Sequence, residues 1–367
     1  MRVNWLAVQD FRNYTSARLD IAPDGLTVVE GQNGQGKTNL LEAIGWLATL
    51  SSFRGAPNEA LVRQDARAAF VRAEADRDGR RLLLEAEIPR AGAPRVLVNA
   101  QPLRRSRDLL GAVRVSVFSP DDLSLIKGGP AERRQLLDDA LVALAPQHTE
   151  TIAAVERVLR QRGALLRSAG GKATADVVAT LDVWDSKLAE HGAVLVNARR
   201  ALAAQLEPVT AKAYAAVAQG AAAIGLRYVP SWSNPTEIDT RAALHAALGA
   251  ARADDLRRGV TTLGPHRDEL ELHIGTLPAR THASQGEQRS LALALRLAVH
   301  ETVTEVTGAA PVLLLDDVFS ELDAHRSAAL LANLPPGQAI LTTAGPLPEG
   351  AKPASTVRVE AGTIKTR

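Results

Sequence analysis

The sequence predicts an α/β fold in which a mixed sheet is flanked by helices and joined to a short, mainly helical second domain. The first observation is a β-branched strand at residues 26–31 that runs into a glycine-rich loop and then a helical pattern. The second is an apolar run at residues 311–315 that ends in two aspartates, as expected for a buried parallel strand at its carboxyl edge. The third is a long middle segment with helical periodicity and little proline.

Composition sets limits on the class of protein. The chain has 367 residues, 46% hydrophobic and 23% charged, which excludes a disordered or fibrous protein. Its net charge of +2 does not by itself indicate a nucleic-acid ligand. The absence of cysteine excludes disulfides, thiolate metal sites and cysteine nucleophiles. No stretch approaches the roughly 20 apolar residues of a membrane span, so we expect a cytoplasmic protein with no membrane partner.

The pattern of elements divides the chain. Strand-like alternation dominates up to about residue 118, and from about residue 130 the apolar residues recur with helical spacing. The longest uninterrupted helix of this middle segment could hold about 40 residues, roughly 60 Å. We therefore expect a head formed by residues 1–129 and 226–367, with a helical insertion at residues 130–225.

The loop after the first predicted parallel strand has the composition of a phosphate site. Residues 31–38 read GQNGQGKT and match the pattern G-x-x-x-x-G-K-[ST], between a strand and a helix. Glycines let successive N–H groups point at phosphate oxygens, and the helix start adds partial positive charge. Lys37 would neutralise the β- and γ-phosphates of ATP as a catalytic residue, and Thr38 would ligate Mg²⁺. The predicted nucleotide contacts are Gly31, Gln32, Asn33, Gly34, Gln35, Gly36, Lys37 and Thr38.

A pair of carboxylates follows the apolar run in PVLLLDDVFSELD, residues 311–323. Ligands of open α/β sheets bind at the carboxyl ends of the strands. We expect Asp316 to hold Mg²⁺, directly or through a water. Asp317 would then act as the catalytic group that polarises the attacking water.

A third motif, ASQGEQRS, stands before a long apolar helix, about 30 residues upstream of the aspartates. Ser284 offers a hydroxyl, Gly286 permits close backbone approach, and the helix start attracts anionic oxygen. Taken alone, Ser284 followed by Glu287 is more typical of the capping box of a helix. The order and spacing of the three motifs favour a ligand site, which includes Gln288.

These motifs together resemble those of the ABC-type ATPases, and we call residues 284–288 the signature segment. The resemblance implies that this segment reaches the γ-phosphate held by a second subunit, so Ser284 would complete the partner's catalytic site. It also implies that Asp323, in the segment after the acidic strand, lies at the dimer contact. ATP-driven homodimerisation is what this resemblance implies.

Within that superfamily the chain resembles the RecF family of compact, SMC-like ATPases. About 250 residues separate Lys37 from Ser284, too many for a transporter subunit and too few for long coiled-coil arms. The likeness rests on the strings DFRNY, PDDLSLIKGGPAERR, GPHRDEL and LLLDDVFSELD, and it covers nearly the whole chain. It implies that Arg12 and Asn13 lie near the nucleotide.

The resemblance also implies a function in recombinational DNA repair and replication restart. Such a protein binds duplex DNA at ssDNA–dsDNA junctions, hydrolyses ATP slowly in a DNA-dependent manner, and helps RecO and RecR to load RecA. An ABC transporter ATPase and a P-loop kinase of small molecules are the alternatives. The long insertion and GPHRDEL disfavour the first, and the signature segment disfavours the second.

The sequence departs from the wider ABC pattern in three places. Asp317 stands where glutamate is usual, no glutamine is evident near FSPDD, and Thr342 and Thr343 stand where a histidine is often found. The shorter carboxylate suits slow turnover.

Basic clusters are the candidates for DNA contact. Backbone binding would tolerate any sequence and weaken strongly with salt, and the 3% of aromatic residues disfavours stacking on bases. The candidates are Arg104, Arg105, Arg107, Lys127, Arg133, Arg134, Arg199 and Arg200.

Overall fold

The computed structural model describes residues 1–77, 79–218, 222–232 and 239–366. The chain forms two compact units, which we call the head unit and the helical unit. The head unit consists of Met1–Leu123, Lys212–Ala221 and Gln285–Arg367. The helical unit consists of Ser124–Ala211 and Ala222–Ser284.

A mixed sheet of six strands forms the centre of the head unit, in the order β15-β14-β3-β13-β12-β8. Five of these strands are parallel and β15 is antiparallel, which confirms the predicted fold class. The strands are β3 (Gly25–Glu30), β8 (Val115–Phe118), β12 (Val312–Asp316), β13 (Gln338–Thr343), β14 (Pro353–Glu360) and β15 (Thr363–Thr366).

Alternate residues of this sheet enter two different apolar clusters. Val29 and Leu314 pack on the side of helix α1 (Lys37–Thr49), whereas Val28 and Leu315 pack on the side of helix α9 (Gln285–Thr307). Both faces are therefore covered, which explains why β12 reads as an unbroken apolar run. The remaining helices of the head unit are α2 (Asn58–Leu61) and α10 (Ala324–Ala332), with 3₁₀ turns at Ser106–Leu109, Pro120–Leu123 and Val318–Glu321.

A second, antiparallel sheet encloses α1 from the other side, in the order β2-β1-β4-β5-β6-β7. Its alternating burial follows the alternation of the sequence, because one face packs on α1 and the other faces solvent. The strands are β1 (Arg2–Phe11), β2 (Tyr14–Asp20), β4 (Ala68–Arg77), β5 (Arg80–Pro89), β6 (Arg95–Val98) and β7 (Gln101–Pro102).

The helical unit is built around one long helix and a buried arginine. Helix α6 (Ala175–Ala218) has 44 residues, close to the length expected, and its last turns belong to the head unit. Arg162 is fully buried and bonds to Asp185 and Asp255, both also fully buried. The other elements are α3 (Ser124–Lys127), α4 (Pro130–Leu144), α5 (His148–Ala169), β9 (Ile224–Val229), α7 (Thr240–Arg258), β10 (Glu269–Ile274), β11 (Leu277–Pro278) and α8 (Ala279–His282).

The division between the units differs from the expected one. Residues 226–284, which we expected in the head, belong to the helical unit. The reason is the pairing of β9 with β10, where Tyr228 lies opposite Leu270, because such long-range pairing leaves no local pattern in the sequence. No helix of the described residues is long and apolar enough to span a membrane.

Candidate functional site

The loop between β3 and α1 requires glycine because of its protein neighbours. A Cβ at Gly31 would lie 2.5 Å from the carbonyl oxygen of Val359, and one at Gly36 would lie 2.5 Å from the Asn13 amide nitrogen. Gly36 also has a φ of +106° where α1 begins, which side chains rarely allow. Two of the glycines that we assigned to phosphate approach are therefore fixed by packing as well.

Lys37 lies inside the loop. Its side-chain nitrogen donates to the carbonyl oxygens of Gly31 at 2.8 Å and Gln32 at 2.9 Å. Burial lowers the pKa of the Lys37 ammonium, while the nearby Asp317 and Asp316 carboxylates act in the opposite direction. The cation is thus held in the curve of the loop, beside the acidic end of β12.

The loop and the acidic strand meet at one carboxylate oxygen. The Thr38 hydroxyl donates to Asp316 Oδ1 at 2.7 Å, and the Thr342 hydroxyl donates to the same oxygen at 2.7 Å. Burial raises the pKa of Asp316, and these two hydrogen bonds partly offset it. The predicted Mg²⁺ residues, 278 positions apart in the chain, are in direct contact.

Asp317 has left-handed backbone geometry, with φ at +46°. Its N–H donates to both the carbonyl oxygen and the hydroxyl oxygen of Thr342, at 3.1 and 3.0 Å. Aspartate tolerates this region better than most residues, and strained positions of this kind are frequent at functional sites. Thr342 therefore orients the Asp316 carboxylate and fixes the backbone of Asp317.

Arg12 and Asn13 lie in the turn between β1 and β2 and have different surroundings. Arg12 forms a two-pronged ion pair with the fully buried Glu42, at 2.8 and 2.6 Å. Asn13 donates to the carbonyl oxygen of Gln35 at 3.0 Å and accepts from Asn39 at 2.8 Å. Asn13 thus braces the loop directly, whereas Arg12 is joined to α1 one turn beyond it.

Two residues of the site, Glu42 and Thr342, are not predicted from the sequence to take part in it. Glu42 accepts from Arg12 and from Ser52 at 2.5 Å, and a charged residue four positions after Thr38 on an otherwise apolar helix was the available signal. Thr342 was recognised only as a departure from the histidine pattern. Its contact with β12 depends on the parallel pairing of Asp316 with Thr342, which no local pattern gives.

The signature segment begins at the exposed Ser284, directly before α9. Gly286 lies in the first turn of the helix, against the Arg326 side chain. Gln288 is only 4% exposed, so we withdraw it as a nucleotide contact, because a buried side chain presents no surface to a partner.

Asp323 is exposed and caps helix α10. Its carboxylate accepts the Arg326 N–H at 2.8 Å and pairs with the Arg326 guanidinium. The first of these bonds is the main reason why the pKa of Asp323 is below its usual value.

Several candidate DNA contacts have structural partners. Arg133 is 5% exposed at its side chain and pairs with Glu269, and Arg199 is 4% exposed and pairs with Asp138. The structure therefore corrects the prediction that Arg133 and Arg199 contact DNA, because a buried guanidinium cannot reach a phosphate backbone. Arg134 is half-buried and donates to the Asp268 carbonyl oxygen at 2.7 Å. The exposed candidates are Arg104, Arg105, Lys127 and Arg200, and Arg107 is half-buried.

Comparison with known proteins gives the family. The profile described as RecF/RecN/SMC N terminal domain matches residues 2–343. The chain is 47% identical over 354 residues to the DNA replication and repair protein RecF of Frankia alni, covering 94% of this chain and 93% of the relative. The chain belongs to the RecF family. The RecF proteins of Streptomyces avermitilis and Kineococcus radiotolerans are 46% and 45% identical, with 94% of this chain and 93% of each relative covered.

Solved structures agree with this family. The recombination mediator protein RecF-ATPrS of the RecFOR pathway superposes with a TM-score of 0.91 and 29% identity, covering 100% of this chain and 98% of that one. RecF-ATP of the same pathway gives 0.89 and 28%, covering 100% and 99%. An Smc head bound to the C-winged helix domain of ScpA, at 0.58 and 16%, covering 100% and 97%, shares the fold. These findings support the RecF prediction, and they support neither the transporter ATPase nor the small-molecule kinase.

Proposed function

We propose that this chain is an ATP-hydrolysing, DNA-binding protein of recombinational repair and replication restart, working in the cytoplasm. RecF relatives named for DNA replication and repair, and RecF structures with ATP or ATPrS, support the general role. The observation that carries the ATPase proposal is the 2.7 Å contact between Thr38 and Asp316. It joins a phosphate loop to an acidic strand end, the two halves of a Mg²⁺-nucleotide site.

The side chains present fit Mg²⁺-ATP. A hydroxyl and a carboxylate are hard oxygen ligands of the type that Mg²⁺ prefers, with the remaining positions left to water and phosphate. Lys37 supplies a positive charge beside them. Bound Mg²⁺ would neutralise negative charge on the phosphate oxygens.

Each residue of the site then has a defined task. Thr38 and Asp316 would hold the metal ion, and Thr342 keeps the Asp316 carboxylate oriented. Lys37 exchanges the loop carbonyl oxygens for phosphate oxygens. Asp317 accepts a proton from the attacking water as general base. Its side chain is one methylene shorter than the usual glutamate, which favours slow hydrolysis.

We further propose that ATP is bound between two copies of the chain. Ser284 is exposed directly before α9, and the helix start offers N–H groups to an anion. Ser284 of one copy would complete the site formed by Lys37 of the other, and Asp323 would lie in the contact. Bound ATP would then contact both copies and stabilise the homodimer.

DNA binding is proposed through the exposed basic side chains, with Arg104 and Arg105 in the head unit and Lys127 in the helical unit as the first candidates. Contacts to phosphates make affinity fall steeply with salt. We propose duplex DNA and ssDNA–dsDNA junctions as the ligands, hydrolysis stimulated weakly by DNA, and RecR, RecO and RecA as the proteins served. Equal affinity at low and high salt would contradict binding through the backbone.

The experiment that tests the composite site is Ser284→Arg. We expect nearly unchanged ATP binding by the monomer, because Lys37 and Thr38 are intact, and loss of ATP-driven dimers in analytical ultracentrifugation. Ser168→Arg, also an exposed serine of the helical unit, is the matched control for the added bulk and charge. Dimers that persist in Ser284→Arg would refute the composite site.

A further inference from the structure

Gly286 of the signature segment is a glycine whose backbone does not require one. It lies in the first turn of α9, and its backbone φ is not positive. A Cβ at this position would lie 2.6 Å from one terminal nitrogen of Arg326 and 3.1 Å from its Cζ. The guanidinium therefore occupies the space that any larger residue would need.

Arg326 connects this glycine to two further groups of the head unit. Its Nε donates to the Ser290 hydroxyl at 3.1 Å, and Ser290 is fully buried one turn along α9. One of its terminal nitrogens donates to Asp323, whose carboxylate also accepts the Arg326 backbone N–H. One planar cation thus bonds to the helix of the signature segment and to the proposed dimer contact.

We infer that Arg326 is a positioning residue that fastens the start of α9 to Asp323, so that both meet the partner subunit as one rigid surface. The inference rests on the proposed function, because it concerns the half of the site that each copy would supply to the other. Planar guanidinium groups suit this task, since their donors have fixed directions and bond to two acceptors at once. Glycine at position 286 is then required by Arg326 and not by the nucleotide alone.

This arrangement predicts a specific coupling between positions 286 and 326. Alanine at position 286 would push aside the end of a flexible side chain, so the chain should fold while Arg326 loses its bonds to Ser290 and Asp323. Gly286→Ala and Arg326→Ala should therefore cause the same defect. Their combination should be no worse than either variant alone, because the second change removes nothing that the first has left.

The experiment measures ATP-dependent dimerisation of the full chain by sedimentation for the two single variants and the double variant. We expect each to weaken dimerisation about tenfold, the scale of one charge-assisted hydrogen bond. ATP binding by the monomer should change little, and the thermal unfolding midpoint should fall by only a few degrees, the cost of one buried hydrogen bond. A double variant weakened about a hundredfold, the product of two independent effects, would overturn the inference, as would normal dimers in either single variant.

Arg326→Lys separates position from charge. Lysine keeps the positive charge but cannot bond to Ser290 and Asp323 in the same plane, so we expect it to remain defective. Full dimerisation by this variant would mean that charge alone acts, and would overturn the positioning role.

Lys212→Ala, which breaks an exposed ion pair with Glu301 of α9, is the control for losing a cation near the same helix. Should Ser284→Arg still dimerise, the proposed function fails. Should only the coupling be missing, this inference alone fails.

Discussion

At the scale of single residues, the site depends on side chains that bond to Asp316 from one neighbouring strand and one helix. Thr38 follows from the phosphate-loop motif, but Thr342 does not, because its role requires β13 to pair with β12 in one particular register. The sequence therefore predicts which residues carry charge at this site and misses the residues that orient them. Glu42 and Arg326 are also orienting residues that the sequence does not reveal, because Glu42 bonds to Arg12 and Arg326 bonds to Ser290, which lie 30 and 36 residues away in the chain.

Thr342→Val tests the orienting role of that hydroxyl. The change removes one bond to Asp316 and one acceptor for the Asp317 N–H, so we expect a loss of about 1–3 kcal/mol in the free energy of unfolding. Mg²⁺-ATP affinity should fall with it. Thr343→Val is the matched control, because that hydroxyl bonds to Gly345 and, among the described residues, to neither carboxylate. Equal effects of the two variants in urea unfolding and nucleotide titration would contradict the assignment.

His300 gives the head unit a dependence of stability on pH. Burial lowers the pKa of His300 to about 4, and one ring nitrogen bonds to Ser116 at 3.0 Å. Between about pH 6.5 and 4 the unfolded chain binds a proton that the folded chain does not, so stability falls as the pH falls, by about 1.4 kcal/mol per pH unit. This stability is fully present above about pH 6.5.

The test compares urea unfolding of the chain and of His300→Gln across this pH range. His266, in the helical unit, also has its pKa lowered to about 4 by burial, so the variant should lose part of the slope and keep the remainder. An unchanged slope in His300→Gln would mean that this histidine is not buried in its neutral form.

At the scale of elements, the sequence predicts well those helices, strands and loops that have a clear hydrophobic period or a glycine-rich boundary. The glycine loop between β3 and α1, the apolar strand β12 and the long helix α6 all have strong local signals, and the structure contains each of them. The pairing of strands that are distant in the chain is harder to predict from the sequence. β9 and β10 are separated by α7, and only their contact in space assigns them to the helical unit.

The buried ion network that joins α5, α6 and α7 predicts a sharp response to substitution. Arg162 bonds to Asp185 and Asp255 at 2.7 Å, and all three side chains are fully buried. Arg162→Leu would leave the buried Asp255 without its cation and would remove one of two cations from Asp185, which also pairs with Arg252. We expect a loss of about 3–5 kcal/mol of stability in the helical unit. Chemical denaturation followed by fluorescence would measure it, in chains where the other three tryptophans are replaced so that only Trp184 of α6 reports.

Arg160→Ala is the matched control on the same helix. Its ion pair with Glu156 is exposed, with nitrogen and oxygen 3.7 Å apart, and such pairs contribute at most about 1 kcal/mol. If the two variants unfold at the same denaturant concentration, the buried network does not stabilise this unit.

At the scale of the whole molecule, the three motifs lie in one chain but are proposed to act in pairs across two chains. The order of the motifs predicted the family, and comparison confirmed it. The sequence could not predict how a signature segment is fastened to its neighbours, because Arg326 reaches Gly286 only through tertiary packing. Partner and DNA surfaces were the least predictable, since exposed and buried arginines look alike in a sequence.

Mixing two defective variants tests the central claim most directly. Lys37→Ala lacks the phosphate cation and Ser284→Arg blocks the signature segment, so neither should dimerise with ATP alone. In a mixed dimer, Lys37 of one chain and Ser284 of the other form one intact site. The chain has no cysteine, so a single introduced cysteine on each variant can carry a donor or an acceptor dye. We predict ATP-dependent energy transfer in the mixture and none in either variant alone. No transfer in the mixture, with ATP still bound by Ser284→Arg, would contradict a site shared between two chains.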